Sequence, residues 1–303
     1  MALTLAEVSY TSGMYQTIAE SFEQSFLSSP LSKHIRACDT YELAPLFLDL
    51  FSDAQPVLEA GCGSGRWCAW LQEQGISTDG VDWSHGLCTR AEREIPGSRF
   101  FACDMADTGL PSGAYGAVMA LGSIEHTVEG PQKALAEFHR LLRPNGVAVI
   151  TVPYGAPLRR WCRALSAPIR AAKGMRSIRQ LAGKAPLSPD ARSLRVARQG
   201  TVAEWHPQFA LNRQGWSFYE YEFSPRQLDS FVTQAGFTVK RRFAAFVDEG
   251  LFHTFGKLAG TWNDDEFRVE LTPFGRLLQA TLPASVTGHM LCYVLEKQSS
   301  PTP

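Results

Sequence analysis

The stretch "PVLEAGCGSG", residues 56–65, decides how the rest of the chain is read. A short apolar run leads into three glycines within five positions, and Glu59 stands two residues ahead of the first of them, Gly61. This is the form of a buried strand that delivers a tight loop to the start of a helix. A loop built for a nucleoside triphosphate would follow its glycines with Lys and then Ser or Thr, because the lysine neutralises phosphate. Arg66 and Trp67 follow here. A dinucleotide loop would place glycine at the first, third and sixth positions. Gly61 and Gly63 satisfy two of these, but the sixth position is Arg66, and Glu59 would repel a pyrophosphate held at the helix start. Both phosphate readings fail on charge and geometry, which leaves a ligand with a cationic group near Glu59.

Outward from this loop, short apolar runs at 56–60, 76–82, 99–103, 114–120 and 146–152 alternate with helical patterns near 65–74, 84–94 and 131–143. That alternation predicts an α/β fold, Rossmann-like, with a mostly parallel sheet and flanking crossover helices. The third helical pattern puts Ala134, Leu135, Phe138, Leu141 and Leu142 on one face, and Pro144-Asn145-Gly146 stops it. Further along, 224–235 reads as a helix entered through Ser-Pro, and 237–247 and 288–296 read as apolar strands, which makes seven. Helical patterns at 14–28 and 41–51 precede the first strand and are expected to cap the sheet. The expected organisation is a helical cap over 1–50, a Rossmann-like core over 51–153, a basic helical insertion over 154–215, and the remainder of the fold over 216–298.

The strand ends refine the ligand. The second strand runs into Asp82 and Trp83, a carboxylate for paired ribose hydroxyls and an apolar face for a purine, beside the glycine loop. The third runs into Asp104 and Met105, where a carboxylate can accept from an exocyclic amino group. In order and spacing, VLEAGCGSG, GVDWS, CDMAD, LGSIEHT and LLRPNGVAVITVP resemble the motifs of class I S-adenosylmethionine-dependent methyltransferases, particularly bacterial enzymes acting on small molecules. The resemblance covers about residues 50–153 and continues more loosely through FYEYEFSPRQLDSFVTQAGFTV. It implies a seven-stranded sheet whose last strand, GHMLCYVLE, is antiparallel, and S-adenosyl-L-methionine as cofactor. It also implies cofactor contacts from Glu59, Gly61, Gly63, Gly65, Asp82, Trp83, Asp104, Met105 and Leu121. Gly116 departs from the pattern, since relatives often carry an aspartate near that point.

A sulfonium methyl group is already electrophilic, so the protein has mainly to align a nucleophile and exclude water. Glu125 and His126, just after the fourth strand, stand where the acceptor should meet the methyl group, and His126 can take a proton near neutrality. The same pair can instead shape the loop and touch the cofactor. Some relatives bind a metal through an acid three residues before such a pair; Gly122 occupies that position, and no metal is expected. Tyr154, directly after the fifth strand, is the preferred aromatic at the mouth, ahead of Tyr10, Tyr15, Trp216, Tyr219 and Tyr221, and His206 is a second possible base.

Residues 154–200 hold eleven Lys and Arg against one acid, Asp190, with apolar residues at helical steps between them. Three readings remain open for this segment: a lid whose arginines pair with acids elsewhere, a site for an anionic substrate or carrier arm, or a peripheral membrane contact toward a lipid-like acceptor. Nucleic acid is not expected, because the whole chain carries a formal charge of -1. The seven cysteines are scattered without a C-x-x-C pair, which fits reduced thiols in a cytoplasmic protein. The expected activity is therefore methyl transfer to oxygen or nitrogen of a small or medium-sized, partly apolar acceptor, and the alternative is a non-catalytic scaffold on the same fold.

Overall fold

The computed structural model describes residues 23–24, 26–127, 129–166, 207–212, 215–263 and 266–298. Two helices, α1 (Leu31–Asp39) and α2 (Ala44–Phe51), precede the first strand. Then follow β1 (Val57–Ala60), α3 (Arg66–Glu73), β2 (Thr78–Asp82), α4 (His85–Glu94), β3 (Phe100–Ala102) and β4 (Tyr115–Leu121). A 3-10 turn at Ile124–His126 leads to α5 (Gln132–Leu141), β5 (Leu142–Pro153), α6 (Pro157–Leu165) and a hairpin of β6 (Pro207–Asn212) and β7 (Gly215–Tyr221). The chain continues through α7 (Pro225–Gln234), β8 (Phe237–Ala245), α8 (Val247–Phe255), the paired β9 (Gly260–Asn263) and β10 (Arg268–Leu271), α9 (Pro273–Thr281), α10 (Ala284–Thr287) and β11 (Met290–Lys297).

Seven strands form one sheet in the order β3-β2-β1-β4-β5-β11-β8. β11 runs antiparallel to both β5 and β8, and the pairs among β3, β2, β1, β4 and β5 are parallel, as the resemblance implied. The chain winds one way from β1 to β3 and the other way from β4 to β5. The crevice between β1 and β4 is therefore the point where loops diverge and a ligand can enter. The central strands β1, β2 and β4 are covered on both faces, which explains their continuous runs of buried residues: Leu58 belongs to the core cluster of Phe138, Leu135 and Ile150, while its neighbour Val57 belongs to that of Phe47, Trp67 and Met119 on the opposite side.

α5 ends at Leu141, and Asn145 turns the chain in the left-handed region with φ 62°. The departure at Gly116 has a packing cause: a Cβ there would lie 2.4 Å from the Ala54 carbonyl oxygen and 2.5 Å from Arg143 Nη2. α1 was not read in the sequence; it begins after Pro30 and buries Leu31, His34, Ala37 and Cys38 at three- and four-residue steps. The strand expected over 237–247 stops at Ala245, since Phe246 takes φ 58° and starts α8. All seven cysteines are free, five of them buried. Among the described residues no helix is long and apolar enough to cross a membrane.

Candidate active site

The floor of the crevice is the glycine loop. Gly61, Gly63 and Gly65 all take left-handed φ values, 78°, 53° and 74°. At Gly61 a side chain would also collide with the protein, because its Cβ would lie 2.6 Å from Ser123 Cβ and 3.4 Å from Met105 Cε. Ser123 is held there by donating its hydroxyl to the Ala60 carbonyl at 2.9 Å. The ends of β1, β3 and β4 therefore meet at Gly61, with bare backbone facing the crevice.

Asp82 ties this loop to β2. Its Oδ2 accepts from the Gly63 amide at 2.8 Å and its Oδ1 from the Ser84 amide at 2.9 Å. Each carboxylate oxygen keeps a further lone pair for a ligand hydroxyl. Burial raises the Asp82 pKa, and the two amide donors oppose that shift. Trp83 is 48% exposed and presents its ring at the rim. Asp104 is exposed and caps its own turn by accepting from the Ala106 amide, while Met105 and Leu121 are half-buried. Glu59 lies beneath the loop, buried, with the Cys68 thiol donating to Oε2 at 3.3 Å. Burial pushes its carboxyl up to about 8, opposed by the Cys68 thiol and by the Arg66 charge.

The other half of the crevice is built from residues far apart in sequence. Glu125 is 2% exposed, and its Oε2 has no hydrogen-bond partner among the described residues. Burial raises its pKa well above the carboxylate range, and nearby Glu220 adds to this. Glu125, half-buried His126 and half-buried Glu220 each offer a ligand atom within 4.8 Å of the others. Glu220 and Glu222 alternate with Tyr221 and Phe223, which are buried in the core, so the acids face away from it. Phe223 is fixed by its backbone N–H, which donates to the Pro153 carbonyl at 3.3 Å.

Opposite stands a charged network. Arg159, 5% exposed, lies 3.7 Å from Glu222 and donates to His289 Nδ1 at 3.0 Å; Arg163 pairs with Glu222 at 2.9 Å. Burial and the Arg159 charge depress the His289 pKa to about 3. Burial raises Glu220 to about 7, helped by Glu222, and raises Glu249 to about 7, helped by Asp248 and Glu42. The Tyr154 side chain is 8% exposed, packs in the core, and donates its hydroxyl to the Ser285 carbonyl at 2.9 Å. Its phenol proton is therefore engaged in holding α10, not directed at the crevice. Tyr221 is likewise a core residue. Tyr10, Tyr15, His206 and the side chains of Trp216 and Tyr219 lie outside the described residues, as does most of the basic segment over 154–200.

Against this geometry, residues 58–150 match the family described as "Methyltransferase domain". Residues 58–150 form a methyltransferase domain. The chain is 27% identical over 95 residues to a malonyl-[acyl-carrier protein] O-methyltransferase from Enterobacter lignolyticus, covering 31% of this chain and 38% of that protein. It is 26% identical over 116 residues to a dTDP-3-amino-3,4,6-trideoxy-alpha-D-glucopyranose N,N-dimethyltransferase from Streptomyces venezuelae, covering 38% and 49%. The matched region thus spans less than half the length of either relative. Among solved structures, the fold is similar to a 1,6-didemethyltoxoflavin-N1-methyltransferase from Burkholderia thailandensis holding S-adenosylhomocysteine (TM-score 0.51, 16% identity, 96% of this chain and 89% of that one). It is also similar to a SAM-dependent methyltransferase from Methanosarcina mazei (TM-score 0.51, 12% identity, 86% and 100%).

The methyltransferase domain supplies the glycine loop, Asp82 and the Glu125-His126 turn, and the sequence identified all of these. Arg159, Glu220, Glu222, Glu249 and His289 lie outside residues 58–150 and were missed. One signal was available: "YEYEF" at 219–223 alternates acids with aromatics, the pattern of a strand with one buried face.

Proposed function

We propose that this chain transfers the methyl group of S-adenosyl-L-methionine to oxygen or nitrogen of a small or medium-sized, partly apolar acceptor. The observation that carries the reading is the pair of carboxyl groups that holds the glycine loop. Asp82 and Glu59 flank backbone that only glycine can supply, and the groups bonded to these two acids are amides and a thiol, not a lysine or arginine suited to phosphate. The residues fit the cofactor: Asp82 for the ribose hydroxyls, the exposed Trp83 ring and Met105 for the purine, Asp104 for its amino group, and Glu59 for the ammonium end. Gly61, Gly63, Gly65 and Leu121 allow close approach. When bound, the cofactor supplies an electrophilic methyl group on a cationic sulfur.

The chain's own part is to hold the acceptor in line and keep water out, at the mouth formed by Glu125, His126 and Glu220. Tyr154 supports that wall through its bond to Ser285. Two relatives whose names specify O- and N-methylation support leaving both acceptor atoms open. Arg159 and Arg163 already answer Glu222, which supports the lid reading for the start of the basic segment over an anionic-acceptor or lipid-surface reading.

The test is isothermal titration with S-adenosylhomocysteine, then incubation with radiolabelled S-adenosylmethionine and a fractionated metabolite extract that includes lipids. Micromolar binding with label in one fraction is expected. Absence of binding overturns the proposal, and binding without transfer to any fraction turns it toward the non-catalytic scaffold.

A further inference from the structure

We propose that Glu125, His126 and Glu220 together bind one divalent first-row metal ion at the acceptor end of the sheet. Their ligand atoms lie within 4.8 Å of one another, although Glu220 comes from β7 and the other two from the turn after β4. An ion at about 2.1 Å from each would draw them slightly closer. Two carboxylates and one imidazole suit manganese, iron(II) or zinc better than calcium, which takes six to eight oxygens.

A second observation points the same way. Glu125 is 2% exposed, and its Oε2 receives no donor among the described residues. A buried carboxylate oxygen without a partner is costly, and a bound cation would supply that partner. The sequence argued against a metal because Gly122 replaces an acid. Gly122 takes φ +64°, and its Cβ would stand 3.5 Å from Glu125 Oε1, so a side chain there would be strained. Glu220 supplies the third ligand instead.

A rival cluster, Glu249, His253 and His289, is excluded by its geometry. Arg159 Nη2 can only donate, so at 3.0 Å it makes His289 Nδ1 an acceptor and puts the ring proton on Nε2, toward Glu249 at 3.8 Å. No lone pair remains there for an ion. The His253 and His289 rings also stack at 4.4 Å and 27°, so their in-plane lone pairs run side by side and do not converge.

In the methyl-transfer reading, on which this role rests but the binding does not, the ion would hold the acceptor's oxygen or nitrogen and ease loss of its proton. His126 would then give its lone pair to the ion and not serve as a base.

The test uses the full chain, stripped with EDTA and titrated with Mn²⁺, following the loss of the free-ion EPR signal. One bound ion per chain is expected, and Glu220→Gln and His126→Gln should each weaken binding by at least about tenfold. Glu249→Gln should leave it unchanged. S-adenosylhomocysteine titration and thermal melts on every variant report folding and the cofactor site separately, so a chain that binds the nucleoside but no Mn²⁺ overturns this inference and leaves the proposed function standing. Binding lost with Glu249→Gln and kept with Glu220→Gln also overturns it.

Discussion

At the scale of single residues, Gly61 and Glu59 act oppositely on stability and alike on binding. Gly61 combines a left-handed φ with a 2.6 Å approach to Ser123, so Gly61→Ala meets both backbone strain and a steric clash. The cost expected is about 1–3 kcal/mol of stability, read by denaturant melts, together with loss of S-adenosylhomocysteine binding. Gly75, at φ 78° but with no atom within 4 Å of its Cβ, isolates the backbone contribution, and Gly75→Ala should cost less and leave binding intact. Glu59 is a buried acid whose folded-state pKa is raised to about 8. Between the ordinary carboxyl range and that value the folded state holds a proton the unfolded state has lost, so this residue's contribution to stability falls as pH rises through about 8. Glu59→Gln should raise the melting temperature of the free protein at pH 8.5 by about 2–4 °C, leave it nearly unchanged at pH 4, and weaken cofactor binding. A variant less stable at pH 8.5 would contradict the assignment.

At the scale of elements, the sequence was legible wherever a signal was local. β1, β4 and the second half of β5 are apolar runs covered on both faces, and Pro131 opens α5 as expected, but the helix ends at Leu141, ahead of Pro144-Asn145-Gly146, which fall inside β5. α1 was not legible, because Pro30 and Ser32 read as loop until Leu31, His34 and Cys38 are seen packed against α3 and its flanks. The acceptor half of the site was not legible for a different reason: Arg159, Glu222 and His289 meet only because β7, α6 and the start of β11 converge on the end of β5. That convergence depends on Glu222. It pairs with Arg159 at 3.7 Å and Arg163 at 2.9 Å, with the Arg159 side chain 6% and the Arg163 side chain 48% exposed. Glu222→Gln removes the charge facing a buried guanidinium and should cost about 2–4 kcal/mol. Arg163→Ala breaks the exposed arm and should cost under about 1 kcal/mol. Hydrogen exchange over α6 would test this, since equal protection in the two variants contradicts the clamp.

At the scale of the whole molecule, the cofactor half of the crevice is closed by the N-terminal segment, which the sequence placed only as a cap. The Phe26 ring would lie 3.3 Å from a Cβ on Gly63. Ser84 donates to Glu23 at 2.7 Å, and His34 Nδ1 lies 3.2 Å from Ser64 Oγ in the glycine loop. Arg90 on α4 fastens this segment by donating to the carbonyls of Phe26 at 3.1 Å, Leu27 at 3.4 Å and Ser29 at 3.0 Å. None of these bonds belongs to the seven-stranded sheet, so Arg90→Ala should leave the core folded while freeing the cap. A ligand that binds only the closed state is weakened by the fraction of chains that open. Losing about 1–1.5 kcal/mol of fastening corresponds to about a five- to tenfold change in that equilibrium. The effect on binding is full only where the open state then dominates. The expected outcome is weaker S-adenosylhomocysteine binding, by up to that factor, with faster proteolysis before residue 30 that ligand suppresses in the unaltered protein. Arg90→Ala that binds and resists cleavage like the unaltered protein would separate the cap from the cofactor site.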